Sequence, residues 1–343
     1  MSAPALASGV SAASYPRLVA DIGGTNARFG WVGAPGADVT RIHKLPVHEH
    51  AGPAQAARAY LDVVAGELGA DYRAPRRAAF AVATAIDGDR VALTNSPWDF
   101  SRAAVRDDLH LDELLLLNDF EALALALPHL RPSQMRPHGQ VPGRTGTLAV
   151  IGPGTGLGVG GVVHTPHGWT AIPGEGGHAT LAATDDFEAA VIAEVRRRHA
   201  HVSAERLLSG IGLPELHRAI TAVAGAAASP CSAEEVVERG VADTDPLARR
   251  TLETFCALLG SFAGNVALTL GARGGVFIGG GIVPRMADLF FASRFRACFE
   301  AKGRFRGYLE QVPTALITDT LVAMTGAAAA LGTPSGTDQA PSA

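Results

Sequence analysis

Asp21-Ile22-Gly23-Gly24-Thr25-Asn26-Ala27-Arg28 lies between two apolar runs, Leu18–Ala20 and Phe29–Val32. A strand, a tight glycine turn and a returning strand fit that pattern. Glycine lets the backbone present its N–H groups at the turn, with the Thr25 hydroxyl beside them. Such a concavity binds anions, phosphate above all. About 130 residues later the device recurs as Gly152-Pro153-Gly154-Thr155-Gly156-Leu157-Gly158, entered from Leu148–Ile151 and left through Val159–Val163. One glycine hairpin is weak evidence, because such turns are common. Two copies, each with a Thr among its glycines, predict two related halves that grip one polyphosphate from opposite sides.

Neither turn is followed by a Lys-Ser/Thr pair, so neither is a P-loop, and the second lacks the GxGxxG spacing and helix of a dinucleotide site. Asp21 beside a phosphate would be repelled unless a cation intervened. It therefore reads as facing Mg²⁺, directly or through water. The plain alternative is a hairpin turn with a solvated Asp. Thr25, Asn26 and the backbone of Gly23 and Gly24 are the phosphate donors of the first turn.

Outward from the turns, Leu18–Ile22 and Ala27–Gly33 read as a strand pair, and Gly52–Leu68 as a helix by its apolar spacing. Arg77–Ile86 and Arg90–Thr94 read as a second strand pair turning at Asp87-Gly88. Leu114–Leu117 is a short buried strand that runs into Asn118-Asp119 and a helix, Phe120–Leu127. Pro and Gly make Arg131–Gly146 a connector. Beyond it come strand signals from Thr147, then helices over Asp185–His199, Ser203–Ser209, Pro214–Ala224, Ala233–Arg239 and Asp245–Leu270. Strands follow at Gly275–Ile278 and Thr314–Ile317, with a last helix at Thr320–Leu331. The fold class is α/β with mixed sheets.

Three further clusters carry chemistry. Asn118-Asp119 sits where an apolar strand feeds a helix, a common place for a catalytic group in α/β proteins. A plain helix N-cap explains the pair locally no less well. In Pro173-Gly174-Glu175-Gly176-Gly177-His178 the glycines free the backbone to aim a carboxylate and an imidazole at one point, which suits recognition of hydroxyls. A surface loop with a solvated His is the alternative; a metal at His178 is disfavoured, since no second His lies at ligand spacing. Glu205, two residues after Ser203, falls in the first turn of a predicted helix, a good electrostatic position without any function. Gly279-Gly280-Gly281, after a buried strand, admits close approach of a flat ligand such as a nucleoside, or is a simple strand-to-helix turn.

The 343 residues, 47% hydrophobic and 18% charged, are enough for two domains with a sizeable core. A net charge of -4 points to neither nucleic acid nor an anionic membrane as partner. Cys231, Cys256 and Cys298 have no CxxC spacing and suggest a reduced, cytoplasmic setting. No uninterrupted apolar run has the length of a membrane span. Residues 1–16 lack a basic n-region and read as a disordered leader, and 334–343 as a loose tail. The expected domains are a small one over 17–128, joined by a C-terminal helix at 319–333, and a large one over 129–318.

In this order the pieces resemble bacterial glucokinases, the ATP-dependent enterobacterial-type family of the hexokinase and actin-like ATPase superfamily. The carriers are DIGGTNAR (Asp21–Arg28), LTN (Leu93–Asn95), NDF (Asn118–Phe120), GPGTGLGV (Gly152–Val159), PGEGGH (Pro173–His178), HVSAERLLSG (His201–Gly210) and GGVFIGGGIVPR (Gly274–Arg285). The resemblance implies a ribonuclease-H-like fold of two domains with the active site in the cleft. It implies transfer of the γ-phosphoryl group of ATP, with Mg²⁺, to the 6-hydroxyl of D-glucose. Asp119 matches the family's catalytic base, and Asn95, Asn118, Glu175, His178 and Glu205 match its sugar-binding residues. Gly23 and Gly24 with their neighbours, and Gly154, Thr155 and Gly156, match the phosphate loops. Gly279, Gly280 and Gly281 fall in the nucleotide region. A homodimer is implied as well. The cousin ROK kinases carry a cysteine-rich zinc motif after a Glu-x-Gly-His segment; no cysteine lies near His178, so zinc and ROK membership are disfavoured. Thr320–Gly326 departs from the family pattern, which leaves the packing of that stretch open. The rival readings are a kinase for another hexose, polyphosphate as donor, and a non-catalytic actin-like ATP-binding protein.

Overall fold

A computed structural model of the chain describes residues 14–93, 96–143, 145–166, 168–227 and 229–332. It divides into two compact units, the first made of the described residues up to His129 and from Leu321 onward, the second of Leu130–Thr320.

In the first unit β1 (Arg17–Ile22) turns back into β2 (Asn26–Val32), which pairs with the edge strand β3 (Thr40–Pro46). Helix α1 (Pro53–Leu68) follows, then β4 (Arg77–Val82), the short ribbon of β5 (Arg90–Ala92) and β6 (Asp99–Ser101), α2 (Arg102–Asp108), β7 (Glu113–Asn118) and α3 (Asp119–Ala126). The sheet order is β3-β2-β1-β4-β7, antiparallel on the β3 side and parallel from β1 to β7. The expected hairpin between Arg77–Ile86 and Arg90–Thr94 does not form. β4 pairs on both sides with parallel strands, and β5 takes β6 as its partner instead. Leu18, Ala20 and Ile22 pack with Tyr60 and Val64 of α1, where Phe29 stacks on Tyr60 at 5.6 Å between centroids and meets Phe80 edge-on at 5.9 Å. Aromatic pairs in these offset or edge-on arrangements add to the energy of simple burial.

The second unit begins with β8 (Met135–His138), inside the stretch expected to be a connector. Its Pro137 is tolerated because β8 is the outer strand of its sheet. Next come β9 (Leu148–Pro153), β10 (Leu157–Thr165) and β11 (Gly168–Ile172). Helices α4 (Asp186–Arg196), α5 (Gly212–Val223), α6 (Ala233–Val241) and α7 (Pro246–Leu270) lead to β12 (Gly275–Ile278). The unit ends with α8 (Ala287–Ala292), α9 (Phe295–Glu300), α10 (Arg306–Glu310) and β13 (Thr314–Ile317). The sheet order is β11-β10-β9-β12-β13-β8, with β9, β12 and β13 parallel. By length and composition α7 is apolar enough to cross a membrane, but most of it is buried in the core of this unit, against α5, α6 and α9.

The stretch Ser203–Ser209 is not the expected helix. It runs as a series of turns, and its Ala204 and Glu205 N–H groups donate to the Ala179 and Gly177 carbonyls, both at 2.8 Å. Finally α11 (Val322–Ala330) rejoins the first unit and packs along α3. Gly326 makes this possible: a Cβ there would lie 1.7 Å from the Ala122 carbonyl oxygen.

Candidate active site

The candidate residues of the first unit collect at one end of its sheet. Ile22, Val82 and Asn118 are in register as the last residues of the three parallel strands β1, β4 and β7. The glycine turn after β1 and the Asn118-Asp119 pair after β7 therefore emerge from the carboxyl ends of the same parallel sheet, where α/β proteins bind ligands. The turn closes through Gly23 N–H to the Asn26 carbonyl at 3.0 Å, and the Thr25 carbonyl accepts the Val47 N–H at 2.9 Å. Asp21 lies opposite Arg28 on β2, and their side chains pair at 3.2 Å. Burial raises the Asp21 carboxyl above its ordinary range, and Arg28 opposes that shift.

Asn118 is the N-cap of α3. Its Oδ1 accepts the Phe120 N–H at 2.9 Å, and its Nδ2 donates to the Thr84 carbonyl at 3.1 Å. Asp119 Oδ1 also accepts the Phe120 N–H at 2.9 Å. The cap fixes the backbone of Asp119, the residue that follows it. Thr84, which sequence reasoning did not single out, anchors Asn118 from the neighbouring strand end. The expected site residue Asn95 lies outside the described residues.

In the second unit the second glycine turn links β9 to β10 and closes through Gly154 N–H to the Gly156 carbonyl at 2.9 Å. The triple glycine after β12 lies directly against it. Gly279 N–H donates to the Ile151 carbonyl at 2.8 Å, and Gly280 has φ +74 with room for no Cβ, which would sit 2.2 Å from the Pro153 oxygen. These elements border a cavity of about 220 Å³ lined by Gly154, Thr155, Gly210, Leu213, Gly281 and Arg285 among others. Gly210 and Arg285 were not marked as site residues; their signal was position within the HVSAERLLSG and GGVFIGGGIVPR segments.

Glu205 and His178 come together although 27 residues separate them. Glu205 Oε2 accepts the Leu157 N–H at 2.9 Å, and Oε1 faces His178 Nε2 at 3.9 Å. Glu175 precedes and His178 ends a single 3₁₀ turn, Gly176–His178, and both are exposed. The loop brings a carboxylate and an imidazole to the surface beside a second carboxylate, a set that can both accept from and donate to hydroxyls. Among the described residues no group of three or more His, Cys, Asp or Glu could hold a metal ion.

The family model described as Glucokinase matches residues 18–333. A glucokinase of Aromatoleum aromaticum is 48% identical over 321 residues, covering 93% of this chain and 95% of the relative. Among solved structures, the crystal structure of glucokinase from an Antarctic psychrotroph superposes with a TM-score of 0.86 at 38% identity, over 92% of this chain and 98% of that one. A ROK family glucokinase from Streptomyces griseus, in complex with glucose and AMPPNP, has a TM-score of 0.58 at 17% identity over 92% and 98% of the two chains, a likeness of fold alone.

Proposed function

The chain belongs to the glucokinase family, with the actin-like ATPase fold, and is a hexose kinase; from that premise we infer its reaction and the roles of its residues. The reaction is transfer of the γ-phosphoryl group of ATP to the 6-hydroxyl of D-glucose, giving glucose 6-phosphate and ADP. The observation that carries the reading is the shared carboxyl end of β1, β4 and β7, where the amide of Asn118 and the carboxylate of Asp119 stand at the same strand ends as a phosphate-type glycine turn.

Phosphoryl transfer needs positioning and charge stabilisation more than covalent help. Gly23, Gly24, Thr25 and Asn26 supply donors for phosphate oxygens, as do Gly154, Thr155 and Gly156, with Gly279, Gly280 and Gly281 beside the nucleoside. Asn118, Glu175, His178 and Glu205 hold the sugar hydroxyls, and Asn95 joins them by its place in the LTN segment. Asp119 accepts the proton of the attacking hydroxyl as the new P–O bond forms. Mg²⁺ would be carried mainly by the ATP phosphates, with Asp21 holding it through water. When bound, the ion neutralises phosphate charge. Three free cysteines fit a cytoplasmic setting. The homodimer rests on the family resemblance, and light scattering reads it directly.

The test is Asp119→Asn. General-base catalysis contributes about 10²–10⁴-fold, so this variant loses at least about 100-fold in kcat while calorimetry still registers glucose binding. Near-native turnover would remove Asp119 as the base.

A further inference from the structure

Ser203–Gly212 is a strap. At one end Ala204 and Glu205 donate their N–H groups to the Ala179 and Gly177 carbonyls, tying it to the loop that carries Glu175 and His178. At the other end Gly210 N–H donates to the Gly154 carbonyl at 2.7 Å and Ile211 N–H to the Thr155 carbonyl at 3.3 Å, tying it to the second glycine turn. Between them the Glu205 carboxylate spans both, with Oε2 on the Leu157 N–H and Oε1 toward His178. Gly156 leaves the space the carboxylate occupies: a Cβ there would lie 2.5 Å from Glu205 Oε2.

We infer that Glu205 is a positioning residue for the second glycine turn, and that it couples sugar binding to nucleotide binding within this unit. The inference rests on the proposed reading of that turn as phosphate-binding and of Glu205 as sugar-binding.

The physical case has two steps. A turn with glycine at 154, 156 and 158 has little side-chain packing to hold its shape, and glycine samples more backbone conformations than other residues. Its shape therefore depends on the bonds made to it, among them the one from the Leu157 N–H to Glu205 Oε2. Without it the turn spends less time in the binding-competent form, and apparent nucleotide affinity falls by that fraction. A sugar hydroxyl on Oε1 restricts the Glu205 side chain and so favours the competent turn. By linkage the nucleotide then favours the sugar by the same factor.

The experiment is calorimetric titration with ADP in the absence of sugar, on variants whose circular dichroism matches the parent. Glu205→Ala binds ADP about tenfold more weakly, which is about 1.4 kcal/mol. Glu205→Gln keeps a carbonyl oxygen that accepts the Leu157 N–H and so retains most of the affinity. Gly156→Ala weakens ADP binding by displacing the carboxylate, and adds nothing in the Glu205→Ala background, where the space is already free. Unchanged ADP affinity in Glu205→Ala, or Glu205→Gln as weak as Glu205→Ala, overturns the positioning role. Glucose titration of Glu205→Gln separates the underlying reading. In the parent, glucose binding tightened by saturating ADP supports the coupling, and glucose affinity equal with and without ADP overturns it; undiminished glucose affinity in Glu205→Gln takes Glu205 out of the sugar site and overturns the coupling.

Discussion

Replacing Gly326 by Ala adds one methyl group where α11 crosses α3. Its Cβ would lie 1.7 Å from the Ala122 oxygen and 2.9 Å from the Ala126 nitrogen, both backbone atoms of α3 that no rotamer change can move. Carbon and oxygen in close contact sit about 3.3 Å apart, so the helices must separate by about 1.6 Å at that point. Overpacking of this kind costs about 1–3 kcal/mol, and with backbone on both sides the upper end applies. For 343 residues unfolding together that lowers Tm by about 4 °C. Urea unfolding followed by tryptophan fluorescence reads the first unit well, because Trp31 and Trp98 are both buried there. The same change at Gly66 is the control. Gly66 is exposed within α1 and nothing lies within 4 Å of its added Cβ, so Gly66→Ala stabilises by about 0.5–1 kcal/mol. Because α3 begins at Asp119, Gly326→Ala also lowers kcat. Stability within about 0.5 kcal/mol of the parent would refute the close-packed crossing.

Two other outcomes follow from the geometry. Asn118→Ala removes the cap of α3 and the donor to the Thr84 carbonyl. It destabilises by about 1 kcal/mol in urea unfolding and lowers kcat through Asp119; kcat equal to the parent's would dissociate the cap from the site. Burial pushes His138 and His217 below their ordinary value, with Arg296 and Arg136 adding to the shift at His138. The folded state then binds fewer protons than the unfolded chain, so stability is intact above about pH 6.5 and falls as pH drops below it, by at most about 1.4 kcal/mol per unit for each histidine. His138→Leu has a shallower acid slope in urea midpoints measured on either side of that pH; an unaltered slope would clear His138 of any part in it.

The two glycine hairpins were legible because their apolar flanks and their turn chemistry are adjacent in sequence. So were β12 and β13, buried strands whose predicted and observed bounds coincide. What local pattern does not carry is the choice of partner. Arg77–Val82 and Arg90–Ala92 look like two arms of a hairpin, but β4 is a central parallel strand whose neighbours lie far along the chain. β8 was hidden by Pro137, which local rules count against a strand and an edge position permits. Ser203–Ser209 has the start signal of a helix yet runs as turns, with the Ala204 and Glu205 N–H groups taken by the carbonyls of residues 179 and 177. The same tertiary bonds raise Glu205 from a residue with no local significance to one that joins a glycine turn to His178.

The most direct measurement is a coupled assay of the purified protein against a panel of hexoses, each with ATP, ADP or polyphosphate as donor and Mg²⁺ present. The expected result is strong turnover with glucose and ATP, and little with the other pairs. Absence of turnover with every hexose would contradict the kinase reading, and strong turnover with a different hexose would contradict the assignment of glucose.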